Sequence, residues 1–464
     1  MTLPSIGLAC LLACQPPLCA DPRVGYLRDH AIGVRTIDEP SAPTADEPVR
    51  EDFSDLIPLK ALIGSARVVA LGEQSHGDGA TFKAKCRLVR FLHQEMGFEV
   101  LAWESGLFDC RRVDELFAQG VEPGSAAKVA HEHGIFGIWA QSAQAAPVLE
   151  YAARSARADP VRRLMIAGFD SQYTSAASRR AHADWLSRWF ASLTTPNLPA
   201  QMIDEGVEAV RWMAARLRED GKPPGGSEER LDEAREQVRA LVAILESRRA
   251  DLARSAEPRE IEFVRRTLLN LLTFDRAMRG MNRANIQATP APILQERDER
   301  MGSNLAFLAR TYYPDKKIIA WAASSHLLRN PEECQSLYGR PRAEGPDAFK
   351  PMGHFAAADL GADYFSITFS AFEGSIGRPW SGPTPVPAAE PGDIESLMKD
   401  AGLSLAIISL RPTPGDPAAA WLGQPQVMRP MGYGRERAVW GRCFDALFFT
   451  REMTPSTSTA ADQP

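Results

Sequence analysis

Short apolar runs recur along the chain, bounded by breakers and in several cases followed by a longer stretch with helical spacing. The runs at 68–71, 98–103, 163–168, 317–321, 364–369, 405–410 and 444–450 are partly β-branched and predict strands, the first and third of them buried. Behind the first run, residues 81–96 bring Phe82, Lys85, Cys86, Val89, Leu92, His93 and Met96 onto related faces, the pattern of a helix. Residues 52–62 predict a short amphipathic helix that Pro58 interrupts. Two more are predicted over 111–119 and 144–157, with 131–133 in a loop between them. Strands separated by helices predict an α/β fold: a mainly parallel sheet flanked by helices. In such sheets the reactive crevice lies at the carboxyl ends of the strands, where Glu73, His76, Glu104 and Asp170 all fall.

Between 181 and 280 the pattern changes to long helices. Leu231, Val238, Leu241, Val242 and Leu245 share one face, with Glu and Arg opposite, and the breaker-rich DGKPPGGSE at 220–228 reads as a hinge. This block predicts a helical subdomain inserted into the body, forming a wall or cap of the crevice. The expected organisation is a leader over 1–20 and an extended lead-in over 21–50. The α/β body then covers 51–180 and 281–450, the insert 181–280, and a fraying polar tail 451–464.

Composition changes this picture little. The 464 residues carry a net charge of −6, which leaves no basic footprint for nucleic acid. The pairs Arg111–Arg112 and Arg162–Arg163 read as solvated surface. The seven cysteines form no CxxC pair, so a zinc ribbon or dithiol site is unsupported. The apolar run at 6–13 is too short to span a bilayer and lacks a preceding Lys or Arg, while LLAC at 11–14 resembles a lipoprotein processing box. Export is the expectation, periplasmic or with a lipid anchor on Cys14 and no transmembrane span; a cytoplasmic chain with an unstructured start is the alternative.

The chemistry concentrates in the glycine-bounded turn after the first run. An imidazole titrates near neutrality, so His76 is a candidate general base, and a hydrogen bond from its ring N–H to Glu73 would hold its tautomer. The plainer reading is a histidine that satisfies loop backbone groups, and E-x-x-H alone does not decide between them. Glu104 is suited to orienting water, binding a metal or pairing with a buried cation such as Lys85 or Arg87. His326, after the run at 317–321, is a second acid, base or polarising group; His131, His133 and His354 have weaker contexts. Ser75, Ser105, Ser324 and Ser325 all lack the G-x-S-x-G elbow, which favours activated water over an acyl-enzyme. Trp103, Trp139 and Trp321 are core residues or the apolar lining of a pocket.

VVALGEQSHG at 68–77 resembles the signature of the erythromycin esterase family. The likeness continues in GFEVLAWESG at 97–106, IAGFD at 166–170, RDERMGSN at 297–304, PMGHFAAADLGADY at 351–364 and CFDALFF at 443–449. The resemblance implies hydrolysis of a carboxylic ester or macrolide-type lactone, with His76 as general base, Glu73 beside it, and Glu104 and His326 in the same cleft. Lys85, Arg87, Asp170 and His354 are the expected substrate-binding or charge-stabilising groups. Two departures stand out: Lys85 replaces an arginine, losing its planar fork, and Ala323 stands where the A-H-N-x-H pattern has its first histidine. No cofactor is expected. The alternatives are a divalent metal ion held by Glu73, His76, Glu104 and His326, or a relative that binds a small ligand without turning it over.

Overall fold

Apolar strands need cover on both faces, and the amphipathic stretches between them supply it. The computed structural model describes residues 21–40, 51–217, 228–282, 289–337, 340–341 and 348–459. Within them the strands of the main sheet are β1 (Ile32–Gly33), β2 (Val68–Glu73), β3 (Phe98–Gly106), β4 (Met165–Asp170), β5 (Lys317–Ala323), β6 (Tyr364–Ile376), β7 (Thr384–Val386), β8 (Leu405–Ser409) and β9 (Ala446–Met453). Their order is β1-β8-β9-β6-β2-β5-β3-β4, with β7 on the outer part of β6. Neighbours from β9 through β4 run parallel, whereas β1–β8, β8–β9 and β6–β7 are antiparallel, so the sheet is mixed.

Alternation within β2 divides the core. Val68 and Ala70 face a layer that includes Met301 and Leu305 of helix Ala291–Phe307 and Met352 of helix Met352–Leu360. Val69 and Leu71 face the opposite layer, with Phe82 and Leu88 of helix Gly79–Met96 and Leu149 of helix Ala146–Ala158. The inserted helices Ala176–Ala191, Ala200–Arg216, Glu228–Ser247 and Pro258–Gly280 bury a third cluster, Leu231, Val238, Leu241, Val242 and Leu245 among them.

Several expectations need correction. The lead-in holds a helix, Pro22–His30, capped by the Asp21 carboxylate and anchored by buried Tyr26 and Leu27. The helix expected across Pro58 begins after it, at Leu59–Ile63. Residues 131–133 are helical, in Ala126–His133. Of the expected fraying tail, residues 451–459 are held in place, because β9 extends to Met453 and the following residues pair with two loops, and residues 460–464 lie outside the described residues. The leader with Cys14, residues 41–50, and the hinge apart from Glu228 lie outside the described residues. Among those described, no helix is long and apolar enough to cross a membrane.

Candidate active site

Parallel register brings one end of each central strand to the same edge of the sheet. Glu73, the last residue of β2, sits opposite Ala323, the last of β5, and Asp170 closes β4 beside Gly106 of β3. Two clusters of charge form there.

The first surrounds Glu73, which is fully buried. Lys85, two turns into helix Gly79–Met96, donates Nζ–H to Glu73 and to the Ala322 carbonyl, the latter at 3.1 Å. The indole N–H of Trp139 donates to Glu73 Oε1 at 3.1 Å, and His76 Nδ1 lies 3.2 Å from the same oxygen. Trp139 stands edge-on to the His76 ring at 5.4 Å. Burial alone would raise the Glu73 carboxyl, but the Lys85 charge and the His76 hydrogen bond outweigh it and hold it below its ordinary range. An ionised Glu73 accepts a hydrogen bond from the Nδ1–H of a neutral His76, which leaves Nε2 as the unprotonated ring nitrogen.

The second cluster surrounds Glu104. Its Oε1 is 3.1 Å from Arg297 Nη2 and 3.2 Å from His326 Nε2, and its Oε2 accepts the Ala323 amide at 3.0 Å. Arg297 also donates to Asp170 at 2.6 and 3.1 Å. His326, in the single turn Ser324–Leu327 after β5, places Nδ1 2.6 Å from Asp298 Oδ1. Burial pushes the Glu104 carboxyl up, yet the His326 and Arg297 charges bring it well below the carboxylate range. Ala323 thus lies between the two acids, paired with Glu73 in the sheet and with Glu104 through its amide.

Of the expected residues, Glu73, His76 and Lys85 meet in one cluster and Glu104, His326 and Asp170 in the other. Arg87 joins neither. Two residues past Lys85, it faces away from the crevice and binds Glu51, Asp55 and the carbonyls of Thr36 and Asp52, fastening the N-terminal segment to the helix. His354 also stands outside both: its Nδ1 meets the Arg329 carbonyl and its ring meets Phe355. Trp103 and Trp321 are core, stacked at 4.6 Å. Sequence reasoning missed Arg297 and Asp298, although two buried acids at strand ends demanded a cation and RDERMGSN held two, Arg297 and Arg300.

It also missed Asp78. This buried carboxyl accepts the Ser75 amide at 2.7 Å and the Tyr433 hydroxyl at 3.0 Å; burial, with the Glu73 charge adding to it, pushes it up to about 8. Among the described residues no group of three or more His, Cys, Asp or Glu is arranged to hold a metal ion; Glu73, His76, Glu104 and His326 divide between clusters that each contain a cation. A cleft of about 770 Å3, lined by Phe136, Gln141, Gln172, Tyr173, Arg179 and Phe274, reaches Gln172, two residues past Asp170, but neither cluster contributes a charged side chain to its lining. Phe136 packs against Trp139 at 6.1 Å.

The erythromycin esterase family model matches residues 93–453, a stretch that begins after Glu73 and His76. YbfO of Bacillus subtilis (strain 168) is 23% identical over 413 residues, which is 87% of each chain. Erythromycin esterase type II of Escherichia coli is 34% identical over 73 residues, 16% of this chain and 17% of that one. A Bacillus cereus crystal structure aligns with TM-score 0.70 at 18% identity, covering 94% of this chain and 98% of that chain. An erythromycin esterase mutant in its open conformation aligns with TM-score 0.59 at 18% identity, covering 90% and 98%.

Proposed function

The chain belongs to the erythromycin esterase family, and from that premise we propose that it hydrolyses a carboxylic ester or lactone with His76 as general base. The contact between His76 Nδ1 and buried, ionised Glu73 carries this reading. Nε2 takes a proton from water as the oxygen attacks the ester carbonyl, and the imidazolium returns it to the departing alkoxide. The sum is one ester and one water giving one acid and one alcohol. Charge developing on the carbonyl oxygen is met by Arg297, whose side chain is 16% exposed and which His326 holds in place from the side away from Asp170. Lys85 is wholly buried on Glu73, so its part is to keep that carboxyl ionised rather than to touch substrate. The cleft beside Phe136 has the volume for a drug-sized ester. Glu73 is paired with Lys85, and Glu104 and Asp170 with Arg297, which supports activation of water by the imidazole.

A screen of esters and lactones, comparing the parent chain with His76→Ala and with chelator-treated protein, tests the proposal. Turnover lost with His76 and kept after chelation is the expected result; turnover that survives His76→Ala sinks it. A second reading is favoured by Ala323, an alanine where the resemblance has an imidazole. Under it the crevice binds an ester without cleaving it, and calorimetry would show binding of an intact, unhydrolysed ligand.

A further inference from the structure

Past Met453 the chain runs between two loops of the candidate site. The Thr454 carbonyl accepts the amides of Gly79 and Ala80 at 2.8 and 3.3 Å, two of the N–H groups that the start of helix Gly79–Met96 leaves open. Pro455 bridges Asp78 in antiparallel fashion, and the Ser456 amide donates to the Gly77 carbonyl at 3.0 Å. On its other edge the Ala143 amide donates to Thr457 O and the Thr457 amide to Gln144 Oε1, both at 2.8 Å, and the Thr459 amide donates to Gln141 O at 3.0 Å. Buried Ser456 also reaches Ser142 Oγ at 2.7 Å. A Cβ on Gly79 would fall on the Pro455 carbonyl, so glycine is what lets this segment come so close.

The two loops are those that matter most. One carries His76; the other follows directly on helix Gly137–Ala140, whose Trp139 touches both Glu73 and the His76 ring. We propose that residues 454–459 are a positioning strap, holding these loops at the separation at which Trp139 and Glu73 together orient the His76 ring. The strap lies beyond the stretch that the family model matches, which ends at 453. The inference rests on the reading of His76 as the base. Without the strap, Trp139 is free to withdraw, Glu73 loses one of its donors, and the ring turns from its productive orientation.

The test uses the full chain. Gly79→Ala puts a methyl against Pro455, Ser456→Pro removes the donor to Gly77, and Ser456→Ala deletes only the hydroxyl bond to Ser142. In the first two, kcat should fall on the order of a hundredfold while KM changes by less than about threefold. The His76 ring-proton NMR signal should titrate at a shifted pH with the far-UV circular dichroism unchanged. In Ser456→Ala the loss of kcat should be about threefold, with a smaller shift in the same direction. Unchanged kcat and unchanged His76 titration in both stronger variants overturn the strap. If either variant loses its dichroism, Ser456→Ala decides on the same readouts, no change overturning the strap. Because the titration needs no substrate, a shifted His76 in a chain that cleaves no ester sinks the hydrolytic reading and leaves the strap standing. An unshifted His76 in an active enzyme does the reverse.

Discussion

Two imidazoles stand at the same edge of the sheet, and their surroundings are opposite. His76 commits Nδ1 to Glu73, and its side chain is 29% exposed. His326 is 9% exposed, with Nδ1 on Asp298 and Nε2 between Glu104 at 3.2 Å and Arg297 at 3.4 Å. Neutral, that Nε2 accepts from Arg297; protonated, it donates toward Glu104, and either state is held from both sides. A ring with one nitrogen open can take a proton from water, whereas a ring held at both changes state only if its neighbours move. Position after a strand is therefore not enough for the proposed base, which also needs a nitrogen with no partner among the described residues.

The largest effect is expected from His76→Ala. It should lower kcat/KM by about 100- to 10,000-fold, the usual worth of a general base, with little change in the urea midpoint. Glu73→Gln should act on stability as well, by about 3–5 kcal/mol in urea unfolding, because it strands the Lys85 charge in the interior. Adding Lys85→Met to it should restore much of that loss, whereas no recovery would mean that the pair is not what burial penalises. His326→Ala should show the converse of His76→Ala, costing about 2–3 kcal/mol by leaving Asp298 and Glu104 short of a partner, with activity reduced by about tenfold. Equal activity losses in both histidine variants, with no loss of stability in the second, would dissolve the distinction.

A subtler effect concerns Asp78. Its unfolded carboxyl releases a proton near 3.8 and the folded one only near 8, so the fold binds the extra proton between those values. Its contribution to stability is complete below 3.8 and is lost as pH rises toward 8. Asp78→Asn removes that slope, and urea midpoints of variant and parent should diverge in the variant's favour across this window. The smallest effect is expected from His354→Ala, which should leave kcat/KM within about twofold, since the ring only meets Arg329 and Phe355.

The strand runs were legible because burial on two faces is written locally, as a short apolar stretch between breakers. Glu73, Glu104 and Asp170 were legible for a related reason: parallel strands that end in acids must present those acids along one edge. Partners were not. Arg297 lies 193 residues from Glu104 in the chain, and nothing local distinguishes it from Arg87, which carries the same charge on a helix at the crevice yet binds the N-terminal segment. The tail misled for a comparable reason, being polar and terminal, because the loops that receive it lie more than three hundred residues upstream.

Local pattern, then, determined the strands, the helical insert and the acids and imidazoles held at one edge of the sheet, because hydrophobic periodicity acts between near neighbours. Which cation answers which carboxylate, which imidazole has a nitrogen with no partner among the described residues, and the seating of residues 454–459 against the His76 loop all came from the tertiary structure. Those outcomes depend on burial and on distances of a few ångströms between remote segments, and neither quantity exists until the sheet has closed around them.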